Sequence, residues 1–213
     1  MKKTIASPSR PRQLAVFIQK LERPVFTTHA LQAICGKSAS TVVQSLNRLA
    51  QQGLVVKIHR GVWAQPGPRR LSPFEILPFL FPRHRVYVSF LTALHLHGII
   101  EQIPQIVTLA SVSHGKILRT TVGVFSVHRI APEFFTGFDW YKGEGSFLIA
   151  EPEKALIDSL YLSSRRKKQF GHFPELHFPP EFSFKQAARW AGRIPEEKIR
   201  RYVLRKLDAL PRR

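Results

Sequence analysis

Apolar residues in the first sixty positions recur first at helical and then at strand spacing. In "QLAVFIQKL" they fall at 14, 15, 17, 18 and 21, one buried stripe of a helix that Pro24 ends. "TTHALQAI" offers Thr27 or Thr28 as an N-cap and puts Ala30, Leu31 and Ile34 on one side, with Cys35-Gly36 supplying a sharp turn. Ser38 then caps a third helix with an apolar stripe of Ala39, Val42, Val43, Leu46, Leu49 and Ala50, stopped by Gly53. "LVVKI" and "GVWA" follow as β-prone runs joined by "HRG", where Gly61 permits the positive φ of a tight turn. Helix, helix, turn, helix and two-stranded hairpin is the order of a winged helix-turn-helix.

"QPGPRRLSP" (65–73) interrupts this pattern with three prolines and a glycine and reads as a boundary. Beyond it, 89–98 predicts a short helix, "QIVTLASV" and "TVGVFSVHRI" predict strands, and 143–149 includes another. "EPEKALIDSLYL" predicts a helix with Pro152 in its first turn. The aromatic, proline-rich 170–184 reads as a loop packed on the body, and two further helices are expected in "FKQAARWAG" and "PEEKIRRYVLRKLDAL". The expected fold class is therefore mixed α/β (α+β). A basic flexible arm occupies 1–11, a winged helix-turn-helix 12–68, an α/β domain 72–162, and a basic extension with two helices 163–213.

Charge sharpens this picture. The chain has 213 residues, 33 basic against 14 acidic, a formal net charge of +19. Residues 1–70 carry 12 basic side chains and one acid, Glu22; 71–161 carry 7 and 8; 162–213 carry 14 and 5. Two strongly basic ends around a near-neutral centre favour a polyanionic partner, because clustered cations release counterions from a phosphate backbone. Mere solubility and an anionic membrane surface are the weaker expectations. Cys35 is the single cysteine, so neither an intrachain disulfide nor a thiolate zinc cluster is expected. The N-terminus reaches Arg10 and Arg12 before any adequate apolar run, and no apolar run reaches 18 residues, which together point to a cytoplasmic protein.

The candidate chemistry lies on the third helix and the hairpin. With the aliphatic stripe inward, the helix presents Ser40, Thr41, Gln44, Ser45 and Arg48, with Lys37 at its start. Gln44 suits adenine N6 and N7 or a phosphate, and Arg48 a guanine edge or a phosphate. Thr41 joins Gln44 in base reading, while Ser40 positions. Free amides around Ser38 suit a phosphate oxygen. Lys57, His59 and Arg60 around Gly61 project cations toward the backbone or minor groove, above Val56, Ile58, Val62 and Trp63 as packing residues. A solvated face or a protein-docking surface is the bland alternative; a single acid in seventy residues argues against it.

Enzymatic readings find less support. His95 and His97 point to different faces of one helix, His114 lies in a polar turn, and His172 and His177 sit among phenylalanine and proline. "GKS" at 36–38 lacks the upstream glycine of a phosphate-binding loop. Glu151, Glu153 and Asp158 bracket a helix start, where acids satisfy amides and the dipole. No metal, cofactor or catalytic set is expected.

Three segments, "SLNRLAQQGLVVKIHRGVW" (45–63), "RVYVSFLTALHLHGI" (85–99) and "FLIAEPEKALIDSLYL" (147–162), together resemble the AbiEi-type antitoxins of bacterial type IV toxin–antitoxin, or abortive-infection, systems. The resemblance spans roughly 12–162 and implies a winged-helix DNA-binding domain followed by an α/β antitoxin domain. It further implies a repressor of its own operon that binds inverted repeats of double-stranded DNA near the promoter. A nucleotidyltransferase-like toxin encoded alongside is opposed without need of a tight complex. By position, Lys37 to Gln52 correspond to the recognition helix and His59 to Gly61 to the wing tip. Ser89, Ala93, Leu94, His97 and Gly98, and Pro152, Glu153, Lys154, Ala155, Leu156 and Asp158, match the central blocks and read as scaffold. Two copies on a palindromic site are expected from operator symmetry. The alternatives are an RNA- or protein-binding module, with Trp63, Trp190 and Tyr202 as stacking platforms, and a metal-dependent nucleic-acid enzyme.

Overall fold

The computed structural model describes residues 10–82, 85–143, 145–165 and 174–211, with side chains from Leu14 onward. The fold is mixed α/β, with several helices and two small sheets. Contacts divide it into two units, one of Met1–Leu80 with Thr120–Val122, the other of Phe81–Arg119 with Gly123–Arg213. Most of the expected basic arm lies outside the described residues, and the first helix already begins at Arg10. The division in contacts falls after Leu80. Ser72 and Glu75 form a capping box before it, Glu75 also pairs with Arg69, and a 3-10 turn (Pro73–Ile76) leads into α4 (Leu77–Leu80).

The first unit runs α1 (Arg10–Lys20), β1 (Val25–Thr27), α2 (Thr28–Cys35), α3 (Ala39–Gln51), β2 (Val56–His59) and β3 (Val62–Ala64) before α4. Its sheet is antiparallel in the order β1-β3-β2. Thr27 Oγ1 accepts from the Ala30 amide at 3.0 Å and starts α2. Gly36, at φ +64, ends it, its amide donating to Gln32 O at 2.9 Å. Leu14, Ile18, Phe26, Leu31, Val42, Leu46, Leu49, Val55 and Trp63 close the core. Strand β1 is the element that local pattern does not announce: three residues between Pro24 and a helix cap are too short for a period, and pairing with β3 makes them a strand.

The second unit carries β4 (Tyr87–Val88), α5 (Phe90–Leu96), β5 (Ile106–Ser111), β6 (Lys116–Thr120), β7 (Gly123–Arg129), β8 (Phe138–Trp140), β9 (Leu148–Ala150), α6 (Pro152–Ser163), α7 (Phe184–Gly192) and α8 (Glu197–Asp208). Its sheet has the order β6-β7-β5-β4-β9-β8, with β5–β7 and β4–β9 parallel and β4–β5 and β8–β9 antiparallel. Helix α6 is buried at every position from Glu153 to Leu162, and α5, α7 and α8 pack against it. A helix covered on all sides must find partners for its polar residues. Every buried side-chain nitrogen and oxygen among the described residues has one. No helix among them is long and apolar enough to cross a membrane.

Candidate nucleic-acid interface

Helix α3 opens on a hydroxyl cluster. Ser38 Oγ accepts from the Thr41 amide at 3.3 Å and lies 3.1 Å from Ser40 Oγ and 2.9 Å from Thr41 Oγ1. Cap and neighbours thus fix one another at the end where unpaired amides meet solvent. Val42, Ser45, Leu46 and Leu49 are the buried side of α3. Ser40, Gln44, Asn47, Arg48 and Gln51 are exposed, and their spacing places them on one face. Thr41 and Lys37 are half-buried at its margin.

Two details of the expected face change. Ser45 is only 7% exposed and belongs to the core side, whereas Ala39 is exposed. Asn47 and Gln51 take Ser45's place outside. Helical spacing from Val42, Leu46 and Leu49 would have found both: 47 and 51 lie opposite those three, while 45 lies beside them. Asn47 is an amide with the donor and acceptor geometry of Gln44, which enlarges the face's capacity for two-point contacts with an adenine edge.

The hairpin brings the remaining cations beside a rigid base. Lys57 pairs with Trp63 across β2 and β3, its Nζ 5.5 Å from the ring centroid, and a bulge between Lys57 and His59 shifts the register before the turn. Gly61 sits at φ +77, a conformation a side chain would strain. Its carbonyl accepts from the Thr28 amide at 2.9 Å, and Trp63 Nε1 donates to Thr28 Oγ1 at 3.0 Å, so the turn is tied to the start of α2. Lys57 and Arg60 are exposed and His59 half-buried. Ile58, Val62 and Trp63 pack beneath the hairpin as expected, but Val56 is 42% exposed and does not. In the described part of this unit only Glu22 and Glu75 carry negative charge, and Glu75 is occupied by Arg69, whose bidentate hydrogen bond lowers its pKa below the ordinary carboxylate value.

The other polar residues singled out by sequence are dispersed. Glu153 accepts from the Ser183 amide at 2.8 Å, Glu151 from Trp190 Nε1 at 3.1 Å, and Asp158 lies in the core with Lys154, Tyr87 and Ser89. None of the three caps α6 through its side chain, and they do not converge. His97 Nε2 lies 2.8 Å from Ala150 O and His95 Nδ1 3.3 Å from Ile100 O. His114 and His177 are exposed, and His172 lies outside the described residues. Trp63 is fully buried and Trp190 is 5% exposed, so neither presents a face on which a base can stack. No protein-family model matches the sequence, and no curated protein is significantly similar to it.

Proposed function

We propose that the protein is a sequence-specific double-stranded DNA-binding transcriptional repressor whose first unit acts as a winged helix-turn-helix. Helix α3 enters the major groove, the β2–β3 turn lies on the phosphate backbone, and two copies occupy an inverted repeat. One observation carries this reading: the exposed row Ser40, Gln44, Asn47, Arg48 and Gln51 stands on a capped helix in the same unit as the exposed cations Lys57 and Arg60. The order α1-β1-α2-α3-β2-β3, with β3 central, supports it. Through the AbiEi-type resemblance the second unit is assigned an antitoxin role against a nucleotidyltransferase-like toxin in a cytoplasmic type IV system.

Within this scheme the roles divide by chemistry. Gln44, Asn47 and Arg48 read base edges, Ser38, Ser40 and Thr41 offer hydroxyls and nearby amides to a phosphate, and Lys37, Lys57, His59 and Arg60 supply positive charge. Nuclease protection of the DNA upstream of the gene tests the reading. A protected inverted repeat that fades with Gln44→Ala, and an affinity that falls on all duplexes alike with Arg60→Ala, are expected. Unchanged affinity of Arg60→Ala at every salt concentration would remove the hairpin from the interface. Co-expression with the adjacent gene product tests the antitoxin half, which undiminished toxicity would sink.

A further inference from the structure

The C-terminal helices carry charge that the proposed α3 interface does not use. Between Phe184 and Asp208 stand eight cations and three acids. Helix α8 buries Ile199, Val203 and Leu207, and its spacing turns Lys198, Arg201 and Arg205 to the opposite face, where all three are exposed. Neighbouring cations have partners of their own: half-buried Arg200 donates to Ile194 O at 3.0 Å, and the exposed Arg193 and Lys206 lie 4.5 Å from the Trp190 ring and 5.9 Å from the Tyr202 ring. On the outward face Glu197 lies 3.5 Å from Arg201 and offsets part of the row's charge. The row continues past the helix start. Lys198 and Arg165 line one cleft of about 310 Å³ with Ser164, Tyr202 and Glu196, and Arg165 is held there by its hydrogen bond to Tyr161 at 2.6 Å.

We infer that Arg165, Lys198, Arg201 and Arg205 form a second phosphate-backbone contact for duplex DNA, independent of base sequence. This rests on the DNA-binding reading above and extends it to the other unit. Charge complementarity selects the occupant. The three α8 cations span about 10 Å of helix axis, a length over which a duplex presents on the order of six phosphate charges. A membrane is disfavoured because α8 has its apolar face buried in the protein and offers none to a bilayer. A protein partner is disfavoured because no large hydrophobic residue between 184 and 208 is exposed to anchor one.

The test uses the full chain and a labelled duplex of unrelated sequence, with affinity measured from about 50 to 200 mM salt. Substituting Lys198→Gln, Arg201→Gln and Arg205→Gln together should weaken binding to that duplex and to the upstream DNA by the same factor. The slope of log affinity against log salt should flatten by about 2 to 3, at roughly 0.9 for each phosphate no longer neutralised. Arg201→Lys with Arg205→Lys should keep the slope. A second triple variant, to alanine, checks that a loss does not come from misfolding, since alanine favours an exposed helix. A wild-type slope in either triple variant overturns the inference while leaving the α3 reading intact. Loss of sequence preference alone, or tighter association with anionic phosphatidylserine vesicles than with duplex, also overturns it. Gln44→Ala and Arg60→Ala report on the α3 interface separately, and a wild-type chain that ignores duplex DNA sinks both.

Discussion

The hydroxyl of Tyr87 on β4 donates to Asp158 Oδ2 on α6 at 2.9 Å, across 71 positions of sequence and out of contact with solvent. Ser89 Oγ donates to the same oxygen at 2.7 Å. Lys154, one turn before Asp158, donates to Asp158 Oδ1 and, at 3.0 Å, to the Tyr87 hydroxyl, with the Phe134 ring 3.8 Å from its ammonium. A strand, its following turn and a central helix are thus joined by one ionic network at 0% side-chain exposure. Such a network is costly to desolvate and more costly to break, because each partner removed leaves another buried and unpaired.

Asp158→Ala should therefore lower unfolding free energy by about 3–5 kcal/mol, as removal of one member of a buried pair does. Replacing both charges together, Lys154→Met with Asp158→Leu, should recover part of the loss, because no charge is then left unpaired while the Tyr87 and Ser89 hydroxyls still lack their acceptor. Urea unfolding of the two variants decides it; a double variant as unstable as Asp158→Ala would contradict the account.

The same network predicts a limb in the alkaline stability profile. Burial raises the Tyr87 phenol well above its ordinary value, and the Asp158 charge and hydrogen bond add to that. Above about pH 10 the unfolded chain releases this proton and the folded chain keeps it, so stability falls as pH rises. Burial lowers Lys154 despite Asp158 beside it. Its contribution has the opposite sign and becomes constant once the unfolded lysine is also neutral. Tyr87→Phe should start less stable near neutrality and lose less above about pH 10. Parallel urea-midpoint profiles for wild type and variant would show that Tyr87 is not the titrating group.

The units differ in how far their sequence announces them. Helices α2, α3 and α6 were legible because each carries a local stop or start, Gly36, Ser38 or Pro152, next to a run of fixed period. Strands β1, β4 and β8 were not, since two or three residues hold no period and owe their state to partners distant in sequence. The Asp158 network was invisible for the same reason. Nothing near Asp158 marks it as internal, and acids close to a helix start usually serve the amides there. The cationic turn at 59–61 was legible because glycine and charge are both local signals.

Ser45 and Asn47 on α3 form a contrasting pair two residues apart, one inside and one outside. Ser45→Asn forces a larger amide into the core side and should cost about 1–3 kcal/mol. Asn47→Ala should stay within about 0.5 kcal/mol of wild type in stability. On the proposed reading, Asn47→Ala should also reduce discrimination between the upstream repeat and a scrambled duplex by about 1–3 kcal/mol. Thermal melts and competition binding on both variants separate these effects. A destabilised Asn47→Ala would mean that the outward face of α3 has been misplaced.

Gly137 closes the approach to α6. It adopts φ +76, its carbonyl accepts from the Glu151 amide at 3.0 Å, and a Cβ there would stand 2.7 and 2.8 Å from the Trp190 ring and 3.0 Å from Lys154 Cγ. The clash involves a buried indole already held by Glu151 and the stem of a lysine held by Asp158, so neither yields cheaply. Left-handed strain adds about 1–2 kcal/mol to an overpacking cost of similar size. Gly137→Ala should thus lose at least about 2 kcal/mol, whereas Gly192→Ala, in α7 with open space around its Cβ position, should be neutral or slightly stabilising. Equal melting temperatures for the two variants would refute the packing assigned to Gly137.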